Sequence, residues 1–316
     1  MAQIFVNLKR FEVSRRVGGL CPVDDPQAWI AGVMDQTVAL GLGRLPQTAL
    51  TYLLPEGLLA TAARALAEYP PAERQGIALG CQGVHWDDIR PGGNFGAFTS
   101  SRPAQAAVAL GCRWAIIGHS EERRAGLQVL ASYDAAVLHD AAAYARAAAA
   151  IDRLIQAEVQ CALRAGLDVL LCIGETAEER GAGPWEEQQP RIERVLGAQL
   201  ATGLEGAAAF LPERQVVIGY EPVWAIGPGK TPPGREYIAF VSALVKRIVQ
   251  GASGFDPLVV YGGGLKEENA AMIGGIESVG GGLVALTRFS GQIGFDVGDL
   301  ARIVERYRSG AGRQER

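Results

Sequence analysis

Eight short runs of β-branched and apolar residues, separated by Ala- and Leu-rich stretches, constrain the fold of this 316-residue chain more than any other feature. Most of the runs are nearly continuous hydrophobe, as expected of parallel strands that are buried on both faces. Strands that alternate with helical stretches are typical of βα units around a parallel sheet, and eight units favour a closed barrel. We therefore predict an α/β fold, a single-domain (β/α)8 barrel over residues 1–316. The predicted strands cover residues 4–9, 48–54, 77–82, 114–119, 168–173, 216–221, 258–262 and 282–287.

The connections contain two clear helices and three segments outside the regular pattern. Asp24, Asp25 and Pro26 predict the start of a helix that runs to Leu40, and the Ala-rich residues 141–165 predict one long helix. The segments outside the pattern are a long insertion after strand one at about 10–25, extra sequence at about 127–150, and a polar tail at 309–316 that we expect to be frayed.

Composition argues against several classes of partner. The chain has 30 Lys and Arg residues against 34 Asp and Glu residues, a net charge of −4, and the two signs are interspersed, so we expect no nucleic-acid or membrane partner. No apolar run of membrane-spanning length and no secretory leader is evident, so we expect a cytoplasmic protein. The five cysteines are odd in number and widely spaced, which indicates reduced core residues and neither disulfides nor a metal site.

Polar side chains at the carboxyl ends of three predicted strands are the candidate catalytic groups. Asn7 and Lys9 end strand one, His119 ends strand four and Glu221 ends strand six. In a barrel of this kind the active site lies at that end, and alternation along a strand would point Asn7 and Lys9 the same way. A carboxylate base, an imidazole and an ammonium in one space suit proton abstraction beside a carbonyl, with stabilisation of the resulting enediolate. This chemistry needs no metal and no cofactor.

The segment after Glu221 has the composition of a lid. Residues 222–232 place an apolar centre between prolines, with glycines at one end, and such a loop would cover a bound ligand. A rigid loop packed on neighbouring helices is the alternative. The Gly-Lys-Thr at 229–231 lacks the upstream glycine of a nucleotide phosphate loop, because Trp224 occupies that position.

Six motifs carry a resemblance to a known family. They are Asn7-x-Lys9, Gly-Ala-Phe-Thr at 96–99, Gly-His-Ser-Glu at 118–121, Cys-Ile-Gly-Glu-Thr at 172–176, Tyr-Glu-Pro-Val-Trp-Ala-Ile-Gly at 220–227 and Tyr-Gly-Gly at 261–263. Their order and spacing resemble those of triosephosphate isomerases, whose fold is the TIM barrel. The resemblance implies interconversion of glyceraldehyde 3-phosphate and dihydroxyacetone phosphate, a step of glycolysis and gluconeogenesis.

The resemblance also implies roles for individual residues. Glu221 would be the base, His119 a neutral electrophile at a helix N-terminus, and Lys9 and Asn7 the groups that bind the enediolate and the substrate oxygens. Ser120 and Glu121 would support His119 and Lys9, and Trp224 and Glu175 resemble the lid residue and the acid it contacts in the open state. Backbone amides would bind the phosphate, those of Gly227 and Gly264 among them. Thr99 lies in a loop that reaches a partner subunit in the family, which implies a homodimer.

Several positions depart from the family pattern, most of them at the phosphate end. Gly264 stands where the family has a serine, and Ala285 and Leu286 stand where it has a glycine pair. Side chains at those two positions would weaken an anion site built from bare amides, so Arg288 or Thr287 could take over phosphate binding. We expect Ala285 and Leu286 to adopt ordinary backbone geometry or to shift the loop.

Three alternatives to triose phosphate isomerisation stay open at this point. The first is the same chemistry on another small ketose phosphate, such as a tetrulose phosphate. A non-catalytic barrel that binds a sugar phosphate is the second, and the joint presence of Asn7, Lys9, His119 and Glu221 argues against it. The third is a glycosidase, which would need a second well-placed carboxylate beside Glu221.

Overall fold

Eight parallel strands close into a barrel in a computed structural model of the chain, which describes residues 1–227, 229–289 and 291–312. Each strand pairs with the next along the chain, and β8 pairs with β1. The predicted (β/α)8 barrel is therefore confirmed, whereas the assignment of all residues to a single domain stays a prediction. The strands are β1 Ala2–Asn7, β2 Thr48–Leu54, β3 Ile77–Cys81, β4 Trp114–Ile117, β5 Asp168–Ile173, β6 Val216–Tyr220, β7 Leu258–Tyr261 and β8 Gly281–Val284.

Helices follow the strands around the outside of the barrel. The α-helices are α1 Pro26–Ala39, α2 Glu56–Ala67, α3 Pro71–Arg74, α4 Ala104–Ala109, α5 Ser120–Tyr133, α6 Ala141–Ala165, α7 Ala177–Arg180, α8 Trp185–Gly203, α9 Arg235–Ser253, α10 Glu267–Gly274 and α11 Val297–Ala311. The connections also contain 3-10 turns at Arg15–Val17, Leu42–Arg44, Ala135–Leu138, Ala207–Phe210 and Val223–Ala225.

Two predicted helices form as the capping signals indicated. Asp25 accepts a hydrogen bond from the Gln27 N–H at the start of α1, with Pro26 as its first residue, and the helix ends one residue before the predicted Leu40. The long helix α6 has the predicted bounds, capped by Asp140 and ended by Gly166 in the left-handed conformation.

The strands are shorter than predicted at the end that carries the chemistry. Strands β2 and β5 have the predicted bounds, but β1, β4 and β6 end before Lys9, His119 and Glu221. At Lys9 the backbone φ is +43°, which no strand allows, and at Gly118 it is +76°. Lys9 therefore lies outside β1, and the alternation of side chains along a strand does not set its direction. The turns that follow the strands position Lys9, His119 and Glu221.

Apolar side chains pack on both sides of the strands, inside the barrel and between the strands and the helices. The inside of the barrel is filled by a small cluster that includes Phe5 and Trp114, whose rings pack edge to face at 5.0 Å. A much larger cluster lies between the strands and the helices. All five cysteines are buried and free, as the sequence predicted. Among the described residues, none of the helices combines the length and hydropathy required to cross a bilayer.

The insertion after β1 is tied to a distant part of the chain. Its Ser14 hydroxyl donates to Asp24, and the Arg15 guanidinium donates to Gln292 Oε1 at 2.9 Å and to the Ile293 carbonyl at 3.5 Å. Gln292 and Ile293 belong to the loop after β8. The insertion therefore packs beside the mouth of the barrel.

Two of the segments predicted to lie outside the regular pattern are helical in part. Of the extra sequence predicted at about 127–150, residues up to Tyr133 belong to α5, those from Ala141 belong to α6, and 134–140 connect the two helices. The tail is helical as far as Ala311. There Gly310 packs so closely on α10 that a Cβ would lie 2.0 Å from the Ala271 carbonyl oxygen. Residues 313–316 lie outside the described residues.

We expect Gly274→Ala to destabilise the barrel. A Cβ at Gly274, the last residue of α10, would lie 2.1 Å from the Tyr307 carbonyl oxygen of α11, so the two helices would have to separate. Overpacking of this kind costs about 1–3 kcal/mol, which lowers the thermal midpoint by several degrees. Thermal unfolding followed by circular dichroism measures the change.

Gly197→Ala is the matched control, because a Cβ at this α8 position meets no atom within 4 Å. Replacing glycine in a helix interior is expected to raise stability by about 0.5–1 kcal/mol. An unchanged or raised midpoint for Gly274→Ala would contradict the close contact between α10 and α11.

Candidate active site

A cavity of about 860 Å³ opens at the carboxyl ends of the strands. Asn7, Lys9, His119 and Glu221 all line it, so the structure brings the predicted catalytic set together. Ser120 and Glu121 also line the cavity. Its volume is within the range of small-molecule sites.

Glu221 is the buried carboxylate of the site. It directly follows β6 and is 2% exposed. Its Oε2 accepts a hydrogen bond from the Ser120 backbone N–H at 3.0 Å, and its Oε1 accepts one from the Ser120 hydroxyl at 3.3 Å. His119 Nε2 lies 3.2 Å from Oε1. The carboxylate is therefore bound by the first residue of α5, where unpaired N–H groups and the helix dipole favour a negative charge.

Two glycines leave the space that Glu221 occupies. A Cβ at Gly174 would lie 1.9 Å from the Glu221 carbonyl oxygen, and a Cβ at Gly262 would lie 2.9 Å from Glu221 Cγ. Gly174 follows β5 and Gly262 follows β7, the two neighbours of β6. A larger residue at Gly174 would displace the Glu221 backbone, and one at Gly262 would displace its side chain.

His119 is held in one tautomer by the start of α5. It is the N-cap residue, and its Nδ1 accepts a hydrogen bond from the Glu121 backbone N–H at 3.2 Å. A ring nitrogen that accepts an N–H carries no proton, so the proton of the neutral ring is on Nε2. The Nε2–H group faces Glu221 and is available to a ligand oxygen in the cavity.

Lys9 reaches the cavity from the turn after β1. Its ammonium donates to Glu121 Oε1 at 2.9 Å, and its backbone N–H donates to Asn7 Oδ1 at 3.0 Å. Partial burial raises the pKa of Glu121, but the hydrogen bond and charge of Lys9 outweigh this effect, so that the pKa is lowered overall. Gln82 Nε2 also donates to Asn7 Oδ1, at 3.1 Å, which orients the amide.

Glu175 anchors the loop that follows Glu221. Its Oε1 accepts hydrogen bonds from Trp224 Nε1 at 2.8 Å, from the Tyr220 hydroxyl at 2.9 Å and from the Tyr237 hydroxyl at 2.7 Å. Burial raises the pKa of this carboxyl, and the three donors offset part of that effect. Trp224 also packs under the Arg180 guanidinium, at 3.8 Å from the ring centroid.

The phosphate-end residues named from the sequence do not all reach the cavity. Gly227, Gly264, Ala285 and Leu286 line it, and of these only the two glycines have left-handed φ. Arg288 does not line the cavity. Its guanidinium is bound by Asp299 at 2.6 Å and by Asp296 at 3.1 Å.

Thr287 is occupied in the same way as Arg288. Its hydroxyl accepts the Asp296 backbone N–H at 2.8 Å and donates to the Asp296 carbonyl oxygen at 3.3 Å. Phosphate binding by Arg288 or Thr287 in place of the family's glycines therefore stays a prediction, and local carboxylate and backbone partners hold both side chains in this structure.

The cavity also contains residues that sequence reasoning did not select. Lys266, at the start of α10, and Lys230, in the loop after Glu221, both line it, as does Phe11 of the insertion. One signal was available: four of the 30 basic residues are lysines, and three of those four lie in this cavity. No group of three or more His, Cys, Asp and Glu side chains within 1–227, 229–289 and 291–312 is arranged to hold a metal ion.

Comparison with known proteins decides the family of this barrel. The family model described as triosephosphate isomerase matches residues 53–294, which is well over half of the chain. The chain belongs to the triosephosphate isomerase family. The insertion after β1 lies before the matched range.

Individual triosephosphate isomerases are similar to this chain over more than two thirds of their own length. The enzyme of Nitratidesulfovibrio vulgaris is 35% identical over 204 residues, which cover 64% of this chain and 69% of that protein. The one of Alkalilimnicola ehrlichii is 35% identical over 217 residues, 67% of this chain and 71% of that protein. A crystal structure of triosephosphate isomerase from Bartonella henselae matches with a TM-score of 0.64 and 26% identity, covering 97% of this chain and 99% of that one.

Two neighbouring acids lie beneath the catalytic rim of this triosephosphate isomerase family member. Glu122 Oε2 accepts the Gly118 backbone N–H at 2.7 Å, directly before His119. Glu158 of α6 is buried, and within the described chain its Oε2 has no hydrogen-bond partner. Burial, followed by the charge of Glu122, raises the pKa of Glu158. The Glu158 carboxyl therefore keeps its proton at a pH where a free glutamate has lost it.

We expect Glu158→Gln to gain stability relative to wild type as pH rises. A raised pKa in the folded state means that the native protein keeps a proton which the unfolded chain releases above about pH 4.3. Wild-type stability therefore falls as pH rises from that value toward the raised pKa, by up to about 1.4 kcal/mol per pH unit. The glutamine side chain cannot ionise, so the free energy of unfolding of the variant does not fall with pH in this way. Urea unfolding of both proteins at pH 5, 6, 7 and 8 measures the difference, and a constant difference across this range would contradict the raised pKa of Glu158.

Proposed function

We propose that the chain interconverts glyceraldehyde 3-phosphate and dihydroxyacetone phosphate through an enediolate. One observation carries this proposal: the Glu221 carboxylate, the His119 imidazole and the Lys9 ammonium all line one cavity. The carboxylate is buried, and His119 Nε2 lies 3.2 Å from it. The similarity to proteins named triosephosphate isomerase supports the triose as substrate.

Glu221 would move the carbon-bound proton. Its carboxylate takes a proton from the carbon next to the carbonyl and returns it to the neighbouring carbon, so the base is regenerated in each turnover. To reach the substrate the side chain turns from Ser120 into the cavity. Burial of the carboxylate keeps water away from the proton that it holds.

His119 and Lys9 would stabilise the enediolate. The His119 Nε2–H donates to the oxygen that develops negative charge and moves a proton between the two substrate oxygens, while the Lys9 ammonium offsets the charge. Asn7 orients an oxygen through its amide. The salt bridge with Glu121, at 2.9 Å, sets the position of the Lys9 ammonium.

The alternative functions, an isomerase of another sugar phosphate, a non-catalytic barrel and a glycosidase, have less support. A tetrulose phosphate would use the same catalytic groups, and a non-catalytic barrel would leave them without a role. The comparisons favour the triose over both, since the relatives carry the name triosephosphate isomerase. A glycosidase needs two carboxylates directed at one substrate, but Glu121, which also lines the cavity, is paired with Lys9 at 2.9 Å.

The loop at 96–99 supports a homodimer, which we propose as the working form of a cytoplasmic enzyme. Phe95, beside this loop, is 89% exposed in the single chain, and Thr99 is also exposed. Trp86, half-exposed, lies close by through His85, which contacts Phe98. A partner subunit would cover this apolar surface.

We expect Glu221→Gln to lower kcat by about 10²–10⁴-fold, because glutamine keeps the shape of the side chain but cannot act as a base. Coupled isomerase assays in both directions measure the loss, with tetrulose phosphate as a second substrate. Glu213→Gln is the control: Glu213 precedes β6 at the opposite end of the barrel and should leave kcat unchanged. A Glu221→Gln enzyme with a tenth of wild-type activity would remove Glu221 from the mechanism.

We expect the protein to sediment as a dimer at micromolar concentration, and Phe95→Asp to shift it toward the monomer. A charge at an apolar interface position has to be desolvated, which weakens association. Sedimentation velocity of both proteins, together with their activity, tests this expectation. A fully active wild-type monomer would refute the homodimer.

A further inference from the structure

The loop after β8 contributes no cationic side chain to the cavity. Ala285 and Leu286 line the cavity with their side chains, and Arg288 is bound outside it by Asp296 and Asp299. A dianion that leaves water needs strong donors or positive charge around it. A cationic side chain from another loop would strengthen an anion site at this end.

Lys266 is in the position to supply that charge. It lies two residues after Gly264, and its Cε is 3.9 Å from where a Cβ on Gly264 would be. Its ammonium lies 4.0 Å from the centroid of the Phe289 ring, in the loop after β8. The residue thus spans the two loops, after β7 and after β8, that border this end of the cavity.

The Lys266 ammonium has no carboxylate partner in the described chain, unlike the ammonium groups of Lys9 and Lys246. Lys9 pairs with Glu121 and Lys246 with Asp256. Lys266 makes no ion pair with any residue that the structure describes, and its contact is the face of an aromatic ring. A cation that rests on an aromatic face without a carboxylate partner keeps its charge available to an anion.

The use of lysine in this chain points to the same role. Among 30 basic residues only four are lysines, and Lys9, Lys230 and Lys266 all line the cavity. The fourth, Lys246, lies on α9. A compact ammonium with three rotatable donors fits around a phosphate in a confined space, where the planar guanidinium is larger.

The loop after β8 and the insertion after β1 border the cavity together. Phe11, Phe289 and Ile293 line it, and Arg15 joins the insertion to Gln292 and Ile293. Of these three apolar side chains, Phe289 contacts the Lys266 ammonium.

We propose that Lys266 binds the phosphate group of the substrate and supplies the positive charge that the loop after β8 does not bring to the cavity. The proposal rests on the proposed function, because it assigns a partner to the phosphate of that substrate. On anion binding the ammonium leaves the Phe289 ring and donates to a phosphate oxygen. Lys266 is thus a specificity-determining residue for phosphorylated substrates.

The test compares Lys266→Met with wild type on substrates with and without phosphate. Methionine retains the length and apolar stem of the side chain and removes the charge. We expect KM for glyceraldehyde 3-phosphate and the inhibition constant of inorganic phosphate to rise by about 10-fold or more, as the loss of a charged hydrogen bond implies. We expect kcat/KM for unphosphorylated D-glyceraldehyde to stay within about 2-fold of wild type.

Lys246→Met is the matched control, since Lys246 lies away from the cavity on α9 and should change neither constant. Lys266→Gln serves as a second charge-removing variant if Lys266→Met folds poorly, with thermal midpoints checked for each protein. Calorimetric titration of inorganic phosphate into wild type and Lys266→Met measures the same loss without turnover.

Two results would overturn the proposal. The first is an inhibition constant for inorganic phosphate that changes less than 2-fold in both Lys266 variants. The second is an equal loss of kcat/KM on glyceraldehyde and on its phosphate, which would show a structural role. If wild type isomerises no triose phosphate, the proposed function fails, and phosphate titration still decides whether Lys266 binds the anion.

Discussion

Pairing between β1 and β8 closes the barrel and makes neighbours of two loops at opposite ends of the chain. Gly281 lies so close to β1 that a Cβ would be 1.9 Å from the Gln3 carbonyl oxygen, so the strands can meet only where that side chain is absent. The loop after β1 then lies beside the loop after β8, and Arg15 reaches Gln292 across a separation of 277 residues. The mouth of the cavity is built from this contact.

The start of α5 organises the catalytic groups. A helix N-terminus presents backbone N–H groups without intrahelical partners. In α5 the N–H of Ser120 binds the Glu221 carboxylate, and the N–H of Glu121 binds His119 Nδ1. One short stretch of backbone therefore orients the base and sets the tautomer of the imidazole. Behind it, Glu122 accepts the Gly118 N–H, so a partly buried acid supports the turn that leads into the helix.

The loop after β6 links the base to the cover of the site. Glu221 and Trp224 are three residues apart, and each is held by a different partner, Ser120 for the carboxylate and Glu175 for the indole. Tyr220, at the end of β6, binds the same Glu175 oxygen. Movement of this loop toward the cavity would have to break the hydrogen bond between the indole and Glu175.

Local patterns in the sequence predicted the repeated units well. Continuous apolar runs are typical of strands buried on both faces, and Asp25–Pro26 is a local start signal, so β2, β5, α1 and α6 have the predicted bounds to within a residue. The ends of β1, β4 and β6 were predicted too far along the chain, because the turn at Gly118 and the backbone conformation of Lys9 depend on what they pack against.

By itself the sequence determined the number of strands, the barrel they form and the residue types at the strand ends, because these depend on hydrophobic pattern and on side-chain chemistry. The tertiary structure alone decided which charges meet. Arg288 is bound by Asp299 across a turn, Glu158 lies beside Glu122 across two helices, and Lys266 lies on Phe289 across two loops. Such pairings depend on distances between separate elements, and no pattern within a single segment encodes those distances.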